Sequence, residues 1–221
     1  MNWFKKSTYP EYWNTYVSHF KNTQETDIEK IRFVIFDTET TGLNINKDRI
    51  LSIGSIAVYQ KYIKVAERFE CYLTQHIYHN ESAKIHGILQ VGHYDKIEEQ
   101  EGLIQFLNYI ENAVLVAHHA AFDVAMINGA LKRLGLPKLK NKVLDTGHLF
   151  AKTGLNESDK SHFSLDNLSN RFNIAQHDRH TASGDAYSTA LLFLKIISLL
   201  NLKKNITLKD LQSPIKRIGL L

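Results

Sequence analysis

Four apolar residues, Phe33-Val34-Ile35-Phe36, run without a break into Asp37-Thr38-Glu39-Thr40-Thr41-Gly42. A short apolar run of this kind is consistent with a buried strand. Side chains alternate along a strand, so Asp37 and Glu39 share one face and continue the line of Phe33 and Ile35. Strand ends in open α/β sheets are where ligands bind. Two acids two residues apart at such an end repel each other, and the usual remedy is a divalent cation, which takes hard oxygen ligands. Taken alone, the segment reads equally well as a solvated acidic turn.

Composition narrows the setting. The chain has 221 residues, 43% hydrophobic and 23% charged, with 27 Lys and Arg against 23 Asp and Glu for a net charge of +4. That balance excludes a fully disordered chain. A single cysteine, Cys71, excludes an internal disulfide framework and a Cys-rich zinc site, and fits a reducing, cytoplasmic location. No apolar run is longer than Ala190 to Leu194, cut by Lys195, well short of the roughly 18 residues of a membrane span, so no membrane partner is expected. Lys5 and Lys6 have no apolar segment behind them, so no signal peptide is expected either. An isoelectric point near 9.0 is compatible with a polyanionic partner and decides nothing alone.

Three zones differ in character. Residues 1–30 carry Tyr9, Tyr12, Trp13, Tyr16 and Phe20 at helical spacing, which predicts a helical extension packing an aromatic face on the main domain; docking another protein or stacking bases are the other uses of such a face. Residues 31–200 form the body. Strands are expected at 33–36, 50–59, 63–73, 114–117 and 143–145, and helices around 103–110 and over 122–134, 165–172 and 182–200. Short polar connections at 42–48 and 60–61 make the first three strands an antiparallel meander. Later strands alternate with helices, which predicts an α/β fold: a mixed sheet of three antiparallel strands followed by parallel ones, flanked by helices. Residues 201–221, with Lys203, Lys204, Lys209, Lys216 and Arg217, read as a basic tail, either solvated or a short terminal helix, with contact to phosphates as its functional use. Lys132, Arg133, Lys138, Lys140 and Lys142 lie in a stretch that no acid interrupts, either a solvated helix end or a phosphate-facing surface.

Two more acids fall on faces that should be apolar. Asp123 shares a helix face with Ile127, Leu131 and Leu134; Asp185 shares one with Thr189, Leu192, Ile196 and Leu199. Charges on core faces are costly unless paired, and one metal cluster binding Asp37, Glu39, Asp123 and Asp185 accounts for all four. Cations near Asp185 on this face look few. His180 stands five residues before Asp185 in a Gly/Ser/Thr-rich segment, where a side chain can overhang a site. Zinc pairs, His177 with His180 or His76 with His79, lack cysteine partners and helical i, i+4 spacing.

DTETTG at 37–42, AHHAAFD at 117–123 and RHTASGDA at 179–186 together resemble the three motifs of the DEDDh class of 3′→5′ exonucleases, the group of the polymerase III proofreading epsilon subunit, RNase T and oligoribonuclease. The resemblance covers about residues 31–200, and departs from the family's pattern at His119, where asparagine is common. It implies an RNase H-like fold and Mg²⁺- or Mn²⁺-dependent hydrolysis to nucleoside 5′-monophosphates. Asp37, Glu39, Asp123 and Asp185 would hold two divalent cations, with His180 as general base; imidazoles ordinarily titrate near 6.5. Two such ions about 3.5–4 Å apart can hold the attacking water and the leaving oxygen. Thr40, Thr41, Gly42 and Leu43 would bind the terminal nucleotide through backbone N–H groups and a Leu43 wedge, with His86 and Phe122 also at the substrate. The implied partner is a single-stranded or frayed 3′ end, DNA favoured over RNA, with a DNA polymerase or other protein as a candidate partner of the N-terminal extension. A non-catalytic binding module of the same fold is the alternative of another class, and has no physical need of four converging acids.

Overall fold

The structure is a computed structural model and describes residues 9–21, 25–90, 92, 94–155, 163–202 and 205–214. Its strands are β1 (Phe33–Thr40), β2 (Ile50–Tyr59), β3 (Tyr62–Leu73), β4 (Lys96–Ile97), β5 (Val114–Ala117) and β6 (Val143–Asp145). Its helices are α1 (Glu11–Ser18), α2 (Asn80–His86), α3 (Glu99–Ile110), α4 (Ala120–Arg133), α5 (Thr146–Lys152), α6 (Leu165–Arg171), α7 (Ala182–Asn201) and α8 (Leu208–Gln212). The strands form one sheet in the order β4-β3-β2-β1-β5-β6. β1, β2 and β3 pair antiparallel, while β5 runs parallel to β1 and β6 to β5. This is the mixed, helix-flanked sheet expected, with β4 added parallel to the end of β3. The acidic strand is longer than its apolar run, because β2 pairs with it through Glu39 and Thr40.

The pleat of β1 sorts the core into two layers. Phe33 and Ile35 face a layer built with Phe193, Ile196 and Ile197 of α7 and with residues of α5, α6 and α8. Val34 and Phe36 face the other layer, with Phe106 of α3, Ile127 of α4 and Trp13 and Tyr16 of α1. Odd positions of β1 therefore look toward α7 and even positions toward α3 and α4. α7 is long and apolar enough, by length and composition, to cross a membrane. The count of uninterrupted apolar residues passed it over, and more than half of its length is buried in the domain as a core helix.

The aromatic stripe of α1 is spent on the domain itself. Trp13 and Tyr16 are buried against α3, with Tyr9, Tyr12 and Phe20 packed around them. The Tyr16 hydroxyl donates to Asn141 Oδ1 at 2.6 Å and accepts from Lys140 N at 2.8 Å. Asn141 in turn donates to the carbonyls of Glu111 and Ala113. Of the basic tail, Lys203, Lys204, Lys216 and Arg217 lie outside the described residues, while Lys209 belongs to α8. The basic stretch 132–142 is partly committed: Arg133 pairs with Glu99 at 2.6 Å and Lys140 lies over the Phe20 ring.

Candidate active site

Asp37 and Glu39, at odd positions of β1, point to the α7 side of the sheet, where Asp185 of the first turns of α7 meets them. Carboxylate oxygens of Asp37, Glu39 and Asp185 all lie within 4.8 Å of one another. The approach depends on Gly54, which pairs with Asp37 across β1 and β2. A Cβ at Gly54 would run into the peptide between Ala182 and Ser183, so only glycine lets the start of α7 sit this close to the sheet. Thr181 caps the helix, its hydroxyl accepting from Gly184 N at 3.1 Å.

Asp123 reaches the same strand end from the opposite layer. Thr38, at an even position of β1, donates to Asp123 Oδ1 from its backbone N at 3.0 Å and from its hydroxyl at 2.7 Å. Asp123 is 4% exposed, and its second oxygen remains available. The four acids therefore converge at one end of β1, Asp123 held there by Thr38 and close enough for its charge to act on Asp37 and Glu39.

The electrostatics record the crowding. Burial first, then the charges of Asp123, Asp185 and Glu39, hold the Asp37 carboxyl well above the usual carboxylate range. Burial, with Asp185 and Asp123, pushes Glu39 up to about 8. Burial raises Asp123 to about 7 against the lowering effect of the Thr38 hydrogen bonds. Three acids resisting ionisation side by side, with oxygen donors and no sulfur, are the donor set that suits Mg²⁺ or Mn²⁺.

One cation does reach the acids: Arg179 donates to Asp185 and, at 2.7 Å, to Asp166 of α6. Arg179 directly precedes His180, and that adjacency is the signal in the sequence that could have found it. His180 itself is exposed on the turn before α7, with a φ of 62°. Its ring overhangs no acid by hydrogen bond among the described residues.

The expected substrate residues fall at the end of β1 and the turn after it, at the end of α2 and in the first turn of α4. Leu43 is 85% exposed. Thr40 donates to the Gly42 carbonyl at 2.8 Å. Thr41 is buried, its hydroxyl donating to Asp48 at 2.8 Å, and its backbone N–H is engaged by the Arg49 carbonyl at 2.9 Å. The Thr41 amide is therefore already bonded within the chain. Gly42 lies against Asp48, whose carboxylate would be 2.7 Å from a Cβ there. His86, at the end of α2, is buried and kept neutral by burial; its Nδ1 accepts from Ile88 N at 3.1 Å. Phe122 is half-buried beside Asp123.

The family model described as Exonuclease, that of RNase T, matches residues 34–193. The chain is 36% identical over 173 residues to the PolC-type DNA polymerase III of Caldanaerobacter subterraneus subsp. tengcongensis, covering 76% of this chain and 12% of that one. It is 32% identical over 170 residues to the DNA polymerase III subunit epsilon of Treponema pallidum, covering 77% of this chain and 78% of that one. The chain thus spans only 12% of the length of the PolC-type relatives. Among solved structures, Escherichia coli exonuclease I in complex with a dT13 oligonucleotide superposes with a TM-score of 0.66 at 15% identity, over 79% of this chain and 42% of that one. That likeness bears on the fold, which is RNase H-like. Because the matched segment begins in the strand of Asp37 and Glu39 and ends in the helix of Asp185, the chain belongs to the RNase T exonuclease family.

Proposed function

We propose that the protein is a metal-dependent exonuclease that hydrolyses nucleic acid from the 3′ end to nucleoside 5′-monophosphates, with DNA as the favoured substrate. The observation that carries this reading is the convergence of Asp37, Glu39 and Asp185 within 4.8 Å, beside Asp123. Two divalent cations, Mg²⁺ or Mn²⁺, are the group the acids fit; when bound, they supply charge neutralisation at the phosphodiester and acidify an attacking water. Asp37, Glu39 and Asp185 would hold the ions, with Asp37 as the shared ligand, and Asp123 would add the carboxylate oxygen that Thr38 does not engage. His180, on the turn before α7, takes the proton of the attacking water at its imidazole. The exposed Leu43 packs on the terminal base, and His86 and Phe122 back the rim.

DNA is favoured because the relatives are components of DNA polymerase III and exonuclease I was solved with an oligodeoxynucleotide. The same relationships support a polymerase as partner. The test is parallel digestion of 5′-labelled single-stranded DNA, duplex DNA with a mismatched 3′ end, and RNA of matched sequence, with Mg²⁺ or EDTA. Stepwise shortening of the DNA from its 3′ end, abolished by EDTA, is expected. Faster loss of the RNA would reassign the substrate, and no cleavage of any would leave a binding module.

A further inference from the structure

The nuclease reading leaves Arg179 unexplained: a cation already sits among acids that are meant to hold metal. Its guanidinium spans two carboxylates, donating from Nε to Asp166 Oδ1 at 2.7 Å and from Nη1 to Asp185 Oδ1. Asp166 is kept in place by Gln176, which donates to the same oxygen at 2.9 Å. The turn holding Arg179 is tightly specified. Asp178 and His180, on either side, have φ of 53° and 62°, a region that non-glycine residues rarely enter. Gly184 is packed so closely on the Asp178 carbonyl that a Cβ would strike it, and the Thr181 hydroxyl donates to that carbonyl at 2.7 Å. The backbone thus aims Arg179 at Asp185 rather than leaving it to find an acid by chance.

A divalent ion on Asp185 and a guanidinium on the same carboxylate compete, both for lone pairs and by charge repulsion. We propose that Arg179 is a displaceable counter-ion: it holds Asp185 in the metal-free protein, yields it to a divalent cation, and is retained on Asp166 as its second seat. Arg179 and His180 are adjacent on one short turn, so the exchange moves the turn and sets His180 for work only after metal has bound. Arg179 and Asp166 are positioning residues in this scheme, which rests on the metal-dependent nuclease reading.

The two carboxylates predict effects of opposite sign. Arg179→Gln removes the competitor and should tighten Mn²⁺ binding by about three- to tenfold. Asp166→Asn removes the second seat, keeps Arg179 on Asp185, and should weaken Mn²⁺ binding by a similar factor. In the double variant the Asp166 effect should vanish. A purely structural role for the turn predicts weakening in both single variants. Mn²⁺ affinity would be read by electron paramagnetic resonance of the free ion at pH 8. In the wild-type protein, the Arg179 guanidinium resonances should shift on Mg²⁺ addition, which needs no variant. If wild-type protein binds Mn²⁺ and cleaves DNA but Arg179→Gln binds no more tightly, or the Arg179 resonances stay fixed, the counter-ion role is overturned and the nuclease reading stands. If wild-type protein binds no Mn²⁺, both fall.

Discussion

Glu39 offers a quantitative test of the crowded acids. Its carboxyl rises from 4.5 to about 8, through burial first and then the charges of Asp185 and Asp123, with Arg179 pulling the other way. The unfolded chain gives up this proton as pH passes 4.5, whereas the folded one keeps it until about 8. Between those values folding holds the extra proton, so the metal-free protein is most stable at low pH on this account and loses stability as pH rises to about 8. The linkage relation makes the loss between pH 5 and 7.5 on the order of 3 kcal/mol. For a domain of this size that is roughly 6–12 °C in Tm. His118 acts oppositely: burial holds it down to about 4, so its contribution is lost as pH falls from 6.5 through 4. That slope is common to wild type and Glu39→Gln and cancels in the difference between them. Urea unfolding followed by circular dichroism in EDTA, from pH 5 to 7.5, should show Glu39→Gln more stable at every pH. Its advantage should grow by about 3 kcal/mol over the range. Saturating Mg²⁺ should reverse the order at pH 7.5, because the carboxylate is then ligated. An advantage that does not grow with pH, or a less stable Glu39→Gln in EDTA, would mean that Glu39 does not hold its proton through neutral pH.

Asp37→Asn should cut hydrolysis to below about a tenth of wild type, since metal stabilisation of the transition state is worth several kcal/mol, while the EDTA-treated variant melts no lower than wild type. His180→Ala should spare Mn²⁺ affinity but lower kcat by about 10²- to 10⁴-fold; His177→Ala, changed at an exposed site, should retain its rate. Gly54→Ala forces the start of α7 off the sheet and should lower both Mn²⁺ affinity and kcat, the latter by about 10²-fold for an ångström of displacement; unchanged kinetics would remove the close approach from the argument. Trp13→Ala empties a site that is 2% exposed in the α1–α3 contact and should cost about 3–5 kcal/mol in urea unfolding, with hydrolysis per folded molecule retained.

Much of this was legible before any coordinates. Local alternation put Asp37 and Glu39 on one face of β1, and helical periodicity put Asp123 and Asp185 on buried faces of α4 and α7, because both patterns depend only on neighbours in the chain. The strand ranges 50–59, 114–117 and 143–145 follow from the same local rules. Short or polar elements escaped: α2, α5 and the two-residue β4 carry too few residues to show a period, and they exist because the sheet and helices already formed give them something to pack on. How the acids meet depends on the docking of whole elements. The docking of α7 places Asp185 with Asp37 and Glu39, and that of α4 lets Thr38 hold Asp123 at the same strand end. Gly54 reads as a weak strand residue until the peptide of α7 is found against it. Arg179 and Asp166, 13 residues apart, carry no periodic signature of their pairing. Contacts between distant segments depend on where whole elements dock, and no local pattern encodes that.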